Sequence, residues 1–349
     1  METKLYVVEK DNPDIRILAE AADVLKQGGL VAFPTETVYG LGANGLDPGA
    51  VEGIFAAKGR PSDNPLILHI AEPHEVEKLA REIPANACAL MEKYWPGPLT
   101  VVVERTRAVP DAVTAGLDTV AIRLPDSLVA RTLIGLAGVP LAAPSANTSG
   151  RPSPTTAQAV MDDLAGKVEI VIDAGPCGIG VESTVVDCTT PVPTLLRPGG
   201  VTLEMLMETL GEVEVDPALA HGSTVPRSPG MKYTHYAPAA PMTLFEGTTG
   251  ACQARVSQAV AQALAEGRRV GAVVSAETAK SLPSSTVVAV YGSRLRPDEA
   301  AANLYNALRL FDTEAVDVIF AEGVAENGLG LAVMNRLRKA AGYHIVRCD

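Results

Sequence analysis

The chain has 349 residues, with 47 % apolar and 20 % charged residues and a formal net charge of −12. That length has room for about two domains, and the apolar content excludes a disordered chain. Aromatic residues are few (8 Tyr, 5 Phe, 1 Trp) and the balance is acidic. This excludes a stacking surface for single strands and a tight, non-specific grip on nucleic acid, but not an anionic small molecule in a local basic pocket.

From the N-terminus the pattern is mixed α/β. METKLYVVEKDNPD has no apolar signal core. Ile15–Gln27 has helical periodicity closed by Gly28-Gly29. Leu30–Phe33 is a short buried strand that stops at Pro34. Asp47 and Pro48 are the cap and first position of a helix running to about Ala57. Strands are predicted at Leu66–Ile70, Leu99–Glu104, Thr119–Leu124, Leu141–Ala143, Glu169–Ile172, Val185–Asp187 and Thr194–Leu196. Helices are predicted at Glu75–Arg81, Ala87–Tyr94, Ser127–Ala137 and Thr156–Leu164. Strands and helices do not strictly alternate, so the sheet is expected to be mixed. The charge-free stretch Thr132–Gly150 contains Pro140 and Pro144 and cannot be a membrane helix.

Asp216–Pro241 is rich in proline and lacks periodicity, which marks a linker. It also carries Arg227, Lys232, Tyr233, His235 and Tyr236, side chains that a spacer does not need, so a lid is a second reading. Beyond it the alternation is regular. Strands Met242–Phe245, Val270–Val274, Thr286–Val290 and Val318–Ala321 are interleaved with helices Gln253–Glu266, Pro297–Thr313 and Leu331–Ala341. That predicts a small doubly wound, Rossmann-like sheet. The division expected is therefore 1–211, a linker at 212–241, and 242–349. Five cysteines (88, 177, 188, 252, 348) without C-x-x-C spacing fit neither a zinc site nor a disulfide framework. A reducing, cytoplasmic setting is expected.

Several loops carry polar chemistry. Gly40-Leu-Gly42-Ala-Asn-Gly45 matches G-x-G-x-x-G, but six residues separate it from its strand. It reads as a glycine-shaped loop rather than a dinucleotide turn. No G-x-x-x-x-G-K-[ST] is present. In FPTETVYGLGAN, Thr35, Glu36, Thr37 and Tyr39 follow a strand end. They either orient a small polar ligand or form a turn whose threonines bond their own backbone. Lys58 and Arg60 sit at a helix end. They converge on one anion or simply complement the helix dipole. His69, in an apolar strand, has the pattern of a core histidine. PSANTSG from Pro144 supplies uncharged donors suited to phosphate oxygens and adjoins Arg151. Gly175–Gly180 permits close backbone approach to a ligand. Arg123 is a lone cation on an apolar strand and needs an anionic partner if buried. These loops together suggest a locally positive pocket lined by strand ends. No nucleophile–base pair and no metal-ligand spacing stand out. Chemistry by positioning and charge stabilisation fits best, and phosphoryl or nucleotidyl transfer is of that kind.

FPTETVYGLGAN, Lys58-x-Arg60 with PSDNPL, PSANTSG, ESTVVD from Glu182, RPGG from Arg197 and SPGMKYTHYAP from Ser228 occur in that order across the whole chain. In this the chain resembles the threonylcarbamoyl-AMP synthases of the two-domain form: a YrdC-like twisted mixed sheet, a linker and an appended domain. The resemblance implies condensation of L-threonine, bicarbonate or CO₂, and ATP (with Mg²⁺) into threonylcarbamoyl-AMP, releasing pyrophosphate. Other proteins then transfer the group to tRNA, so tRNA binding by this chain is expected to be weak or absent. By motif, the resemblance assigns Thr37, His69, Thr119, Arg123, Ala143 and Ser183 to threonine, with Arg123 on its carboxylate. It assigns Lys58, Arg60, Asn64, Ser145, Asn147, Ser153 and Arg197 to ATP, with Lys58 and Arg60 stabilising charge in catalysis. His235 and Tyr236 of the linker are placed nearest the nucleotide.

The competing readings are an RNA-binding or ribosome-associated protein, a nicotinamide enzyme using the glycines, and a carbamoyl-transfer maturation factor. The last carries zinc-finger cysteines that this chain lacks.

Overall fold

The computed structural model describes residues 1–221 and 236–348. Their contacts divide into two compact units. The first comprises 1–149, 153–178 and 182–232; the second comprises 150–152, 179–181 and 233–349. The strands, in chain order, are β1 (Lys4–Val7), β2 (Val31–Phe33), β3 (Gly40–Asn44), β4 (Ile67–His69), β5 (Leu99–Glu104), β6 (Thr119–Arg123), β7 (Leu141–Ala142), β8 (Ile170–Asp173), β9 (Thr184–Asp187), β10 (Thr194–Arg197), β11 (Glu214–Val215), β12 (Met242–Gly247), β13 (Val270–Val274), β14 (Val287–Val290), β15 (Val318–Glu322) and β16 (Ile345–Cys348).

In the first unit, eleven strands form one mixed sheet in the order β1-β8-β2-β3-β7-β4-β6-β5-β9-β10-β11. The helices Ile15–Lys26 and Leu128–Ala137 pack on each other and on this sheet. Leu18, Ala21, Ala22 and Leu25 of one helix and Ala130, Leu133 and Ile134 of the other meet Val31, Phe33, Ile170 and Ile172 in one core. Each leucine so buried contributes about 1.5–3 kcal/mol. Asp14, Asp47, Ser127 and Thr156 each accept a backbone N–H at the start of their helices, so the expected starts follow from capping chemistry.

The structure corrects the reading of the glycine segment. Gly40–Asn44 is not a loop but strand β3, antiparallel to β2, with Val31 opposite Gly42. The reason is steric. A Cβ on Gly42 would lie 2.7 Å from the Phe33 ring, so glycine lets that ring lie across the strand. A strand that opens no helix cannot cradle a dinucleotide. Helix Leu203–Leu210 and strand β11, neither predicted, also belong to the first unit: Tyr94 Oη donates to the Met205 carbonyl at 2.8 Å, and β11 pairs with β10. The expected boundary at 211 therefore falls before the last strand of the sheet. Of the expected linker, 222–235 lies outside the described residues.

In the second unit, five strands form an all-parallel sheet in the order β14-β13-β15-β12-β16. The helix Thr249–Ala265 covers one face through Val256, Val260 and Ala263 on Val270, Ala272 and Phe320. Phe311, from the helix Pro297–Thr313, presses on Gly271. β16, unpredicted, completes the sheet beside β12. Among the described residues, no helix is long and apolar enough to cross a membrane.

Candidate functional site

Sheet topology gathers the first group of site residues. β4, β6 and β10 run one way while β5 and β9 run the other, and the five are neighbours. The C-terminal ends of the first three therefore share an edge with the N-terminal ends of the other two. That edge carries His69, Arg123, Thr100, Ser183 and Arg197, all buried. His69 and Arg123 are opposite each other in register, as are Arg123 and Thr100. Thr100 Oγ1 and Ser183 Oγ lie 2.8 Å apart. Arg197 donates through Nη2 to Ser183 Oγ at 3.1 Å and through Nε to the Ser183 carbonyl at 3.0 Å. Gly199 makes this possible: a Cβ there would lie 2.3 Å from the Glu182 carbonyl oxygen.

Arg123 has the anionic partner its burial requires. Its Nη2 lies 2.6 Å from Glu36 Oε1, and its Nε donates to the Gly97 carbonyl at 3.3 Å. The Glu36 contact is close but poorly aligned. Neither Glu36 oxygen, nor Arg123 Nη2, completes a hydrogen bond. Burial and the neighbouring Arg123 push the His69 imidazole down to about 3, so it is neutral at physiological pH. Burial pushes the nearby Cys177 thiol up to about 12, and it stays protonated.

A second group forms around the end of the helix Pro48–Lys58. Lys58 is 2 % exposed and Gly59 ends the helix in a left-handed conformation. The Lys58 ammonium donates to the carbonyls of Ser145 and Asn147, the latter at 2.6 Å, and to Asn147 Oδ1 at 3.4 Å. Ser145 Oγ donates to the same Oδ1 at 2.6 Å. Lys58 thereby holds the 145–147 turn in shape. The Arg60 guanidinium lies 5.9 Å from the centre of the Phe55 ring and reaches the Asn64 carbonyl at 3.4 Å. The Asn64 side-chain amide is buried with no hydrogen bond at either atom. Such an amide is costly unless a ligand completes it.

The segment 34–39 joins the two groups. Glu36 faces Arg123, while the Tyr39 carbonyl accepts from Ala146 N–H at 2.8 Å and the Tyr39 hydroxyl donates to the Gly175 carbonyl at 2.8 Å. Burial and Asp173 raise the Tyr39 phenol well above its ordinary value, so it remains a donor. Thr35 takes the turn role, with Oγ1 bonding the Val38 carbonyl at 2.6 Å and lying 2.9 Å from Thr37 Oγ1. Of the two readings of this segment, the turn is the one seen, at Thr35.

Other predicted residues lie elsewhere. Thr119 is at the far end of β6 from Arg123, about 13 Å along the strand, and is not gathered with the Arg123 group. Ala143 is buried just past β7 and donates to the Ile67 carbonyl at 3.1 Å. Ser153 Oγ donates to Glu182 Oε1 at 2.5 Å. Arg151 pairs with Asp312 at 2.6 Å in the second unit, which spends the charge expected beside PSANTSG. Tyr236 is also described in the second unit, where it stacks on Tyr305 at 5.1 Å. His235 lies outside the described residues. Thr100 was not singled out by sequence, and Glu36 was named only among the polar residues after a strand end, without a role of its own. The signals were a carboxylate directly after a buried strand and a hydroxyl interrupting LTVVVE.

Residues 23–199 match the family model described as telomere recombination, and 201–342 match the one described as threonylcarbamoyl-AMP synthase, C-terminal domain. A threonylcarbamoyl-AMP synthase of Pyrococcus abyssi is 50 % identical over 329 residues, covering 94 % of each chain. One of Bacillus subtilis is 47 % identical over 354 residues, covering 99 % of this chain and all of the relative. The crystal structure of P. abyssi Sua5 complexed with L-threonine has a TM-score of 0.95 at 48 % identity, covering 99 % of this chain and 100 % of that one.

Proposed function

The chain belongs to the threonylcarbamoyl-AMP synthase family, and from that membership we propose how its residues carry out the reaction. The enzyme is a nucleotidyltransferase that joins L-threonine, bicarbonate or CO₂, and ATP into threonylcarbamoyl-AMP, with pyrophosphate as the second product. The observation that carries the reading is Arg123. It is a buried guanidinium at a strand end with a misaligned counter-ion, beside a neutral His69 and the Thr100–Ser183 hydroxyl pair. That is a receptor for a small carboxylate with polar neighbours.

Arg123 takes the threonine carboxylate, and Thr37, His69 and Ser183 contact the remainder. The threonine ammonium first gives up a proton; the free amine then attacks CO₂ with loss of a second proton, or displaces water from bicarbonate, to give a carbamate. A carbamate oxygen attacks the α-phosphorus of ATP and pyrophosphate leaves. A carbamate is short-lived in water, and the burial of His69, Arg123, Ser183 and Arg197 supports solvent exclusion at this edge. Asn64, Ser145, Asn147, Ser153 and Arg197 hold the nucleotide. Arg60 supplies charge to the phosphates, and Lys58 supplies charge while shaping the turn. Thr119 and Ala143 stay in the proposal as ligand neighbours, and His235 and Tyr236 as nucleotide neighbours.

ATP enters as its Mg²⁺ complex. A phosphate-borne Mg²⁺ is filled largely by phosphate oxygens and water, so it needs no all-protein cage. The product serves proteins that carry the threonylcarbamoyl group to tRNA, and a cytoplasmic location follows from that role. An RNA-binding function is not favoured.

The test is incubation with ATP, bicarbonate and either threonine or serine, with product mass and pyrophosphate release as readouts. Threonine-dependent release of pyrophosphate with the threonylcarbamoyl-AMP mass is the expected result. Release independent of threonine would overturn the assignment.

A further inference from the structure

We propose that Glu36 is the ammonium anchor of the amino-acid site: it faces Arg123 and passes to the substrate's ammonium when the substrate's carboxylate takes Arg123. The inference rests on the threonine reading above and deepens it by assigning a residue to the amino end of the substrate.

The geometry points this way. A buried ion pair is stable when it is well aligned and its remaining lone pairs are satisfied. The Glu36–Arg123 pair meets neither condition. Its atoms approach to 2.6 Å, yet both Glu36 oxygens and Arg123 Nη2 lack hydrogen bonds. The Arg123 side chain is 4 % exposed and that of Glu36 is 13 % exposed, so bulk water does not complete them. This is the state of a site poised for a ligand that carries both complements.

A zwitterionic α-amino acid is such a ligand. Inserted between the two side chains, it turns one poorly aligned pair into two pairs and leaves no charge uncompensated. A ligand with only the carboxylate leaves Glu36 buried and unpaired. A ligand with only the ammonium leaves Arg123 so.

The surrounding groups do not substitute for Glu36. His69 is neutral, the Cys177 thiol is protonated, and Arg197 is held by Ser183. Lys10, Thr35, Asp126 and Ser127 line a small crevice together with Glu36.

The segment supports the assignment mechanically. Thr35 fixes the turn before Glu36, and Tyr39 anchors the chain after it. The carboxylate is held in place with its backbone bonded on both sides.

The test is calorimetric titration of the full chain with L-threonine, 3-hydroxybutanoate (no amine) and threoninol (no carboxylate). The wild type is expected to bind threonine at least about 100-fold tighter than either analogue, since each leaves one buried charge unpaired. In Glu36→Gln, threonine affinity should fall by about 100-fold, 3-hydroxybutanoate should bind more tightly than to wild type, and ATP affinity should not move. Glu36→Asp should recover part of the threonine affinity. Equal wild-type affinity for threonine and 3-hydroxybutanoate would overturn the proposal without any variant. So would a Glu36→Gln protein that binds threonine normally, or one that loses both ligands alike, which is the behaviour of a structural prop. A wild type that binds no threonine at all would instead defeat the functional reading beneath it.

Discussion

Arg123 and Lys58 are both buried cations in the first unit, and they are satisfied in opposite ways. Lys58 donates to the Ser145 and Asn147 carbonyls and to the Asn147 side chain, three acceptors within one turn. Arg123 faces one carboxylate that it does not properly hydrogen-bond. The first arrangement builds a loop; the second waits for a ligand. The difference teaches that burial of a charge does not by itself identify a binding residue. The state of its partners does, because an unfilled hydrogen-bonding group in a dry site is tolerated only where something else completes it.

The comparison breaks most sharply at Arg123. Arg123→Ala should cut threonine-dependent pyrophosphate release by about 10³-fold or more, because the substrate carboxylate loses its counter-charge while Glu36 is left buried alone. Steady-state kinetics across threonine concentrations check this; a loss below tenfold would make Arg123 a purely structural cation. Lys58→Met comes next. It should lower release by about 10²-fold and also lower the melting temperature, since two buried carbonyls lose their donor. Arg60→Ala should match the kinetic loss with little change in melting, which separates a turn-shaping cation from one that acts on the ligand alone.

A pH series sharpens the account of His69. Its folded-state value, about 3, lies below the ordinary 6.5. The unfolded chain therefore binds a proton between those values that the folded chain refuses. Stability should be level above about pH 7 and fall as pH drops from 6.5 toward 3, by about 2 kcal/mol at pH 5. His69→Asn should flatten that slope in urea titrations at pH 7.5 and pH 5. The smallest effect is expected at Ser183→Ala. Loss of its contacts with Thr100 and Arg197 should raise the threonine KM about tenfold and leave kcat near wild type, a neutral hydrogen bond being worth about 1 kcal/mol and one to a charged group more.

Much of the fold could be read along the chain. β5 and β6 are apolar runs buried on both faces, and such runs announce themselves. Helix starts followed from Asp47-Pro48 and Ser127, where capping is local chemistry. The strands that escaped notice share a cause. β1 is a largely exposed edge strand, β16 lies at the other sheet's margin, and β3 is built on glycines. An edge strand lacks the burial pattern that marks a central one, and a glycine carries no side chain to show periodicity. Among the site residues, Arg123 was visible as a cation without company on an apolar strand. Its partner Glu36 was not, since 87 positions separate them in the chain and only sheet closure joins them.

The sequence by itself determined the two-part α/β organisation, the family, and the residue types of the site, because local propensity, apolar pattern and motif order are properties of neighbours along the chain. Tertiary structure alone decided which of those residues meet. It set His69, Arg123, Thr100, Ser183 and Arg197 along one sheet edge and Thr119 at the opposite end of β6. It closed Lys58 into a turn and left Glu36 and Arg123 facing without proper bonds. Strand order and direction, which no single strand encodes, make that choice, and with it the difference between a charge that holds the protein and a charge that holds the substrate.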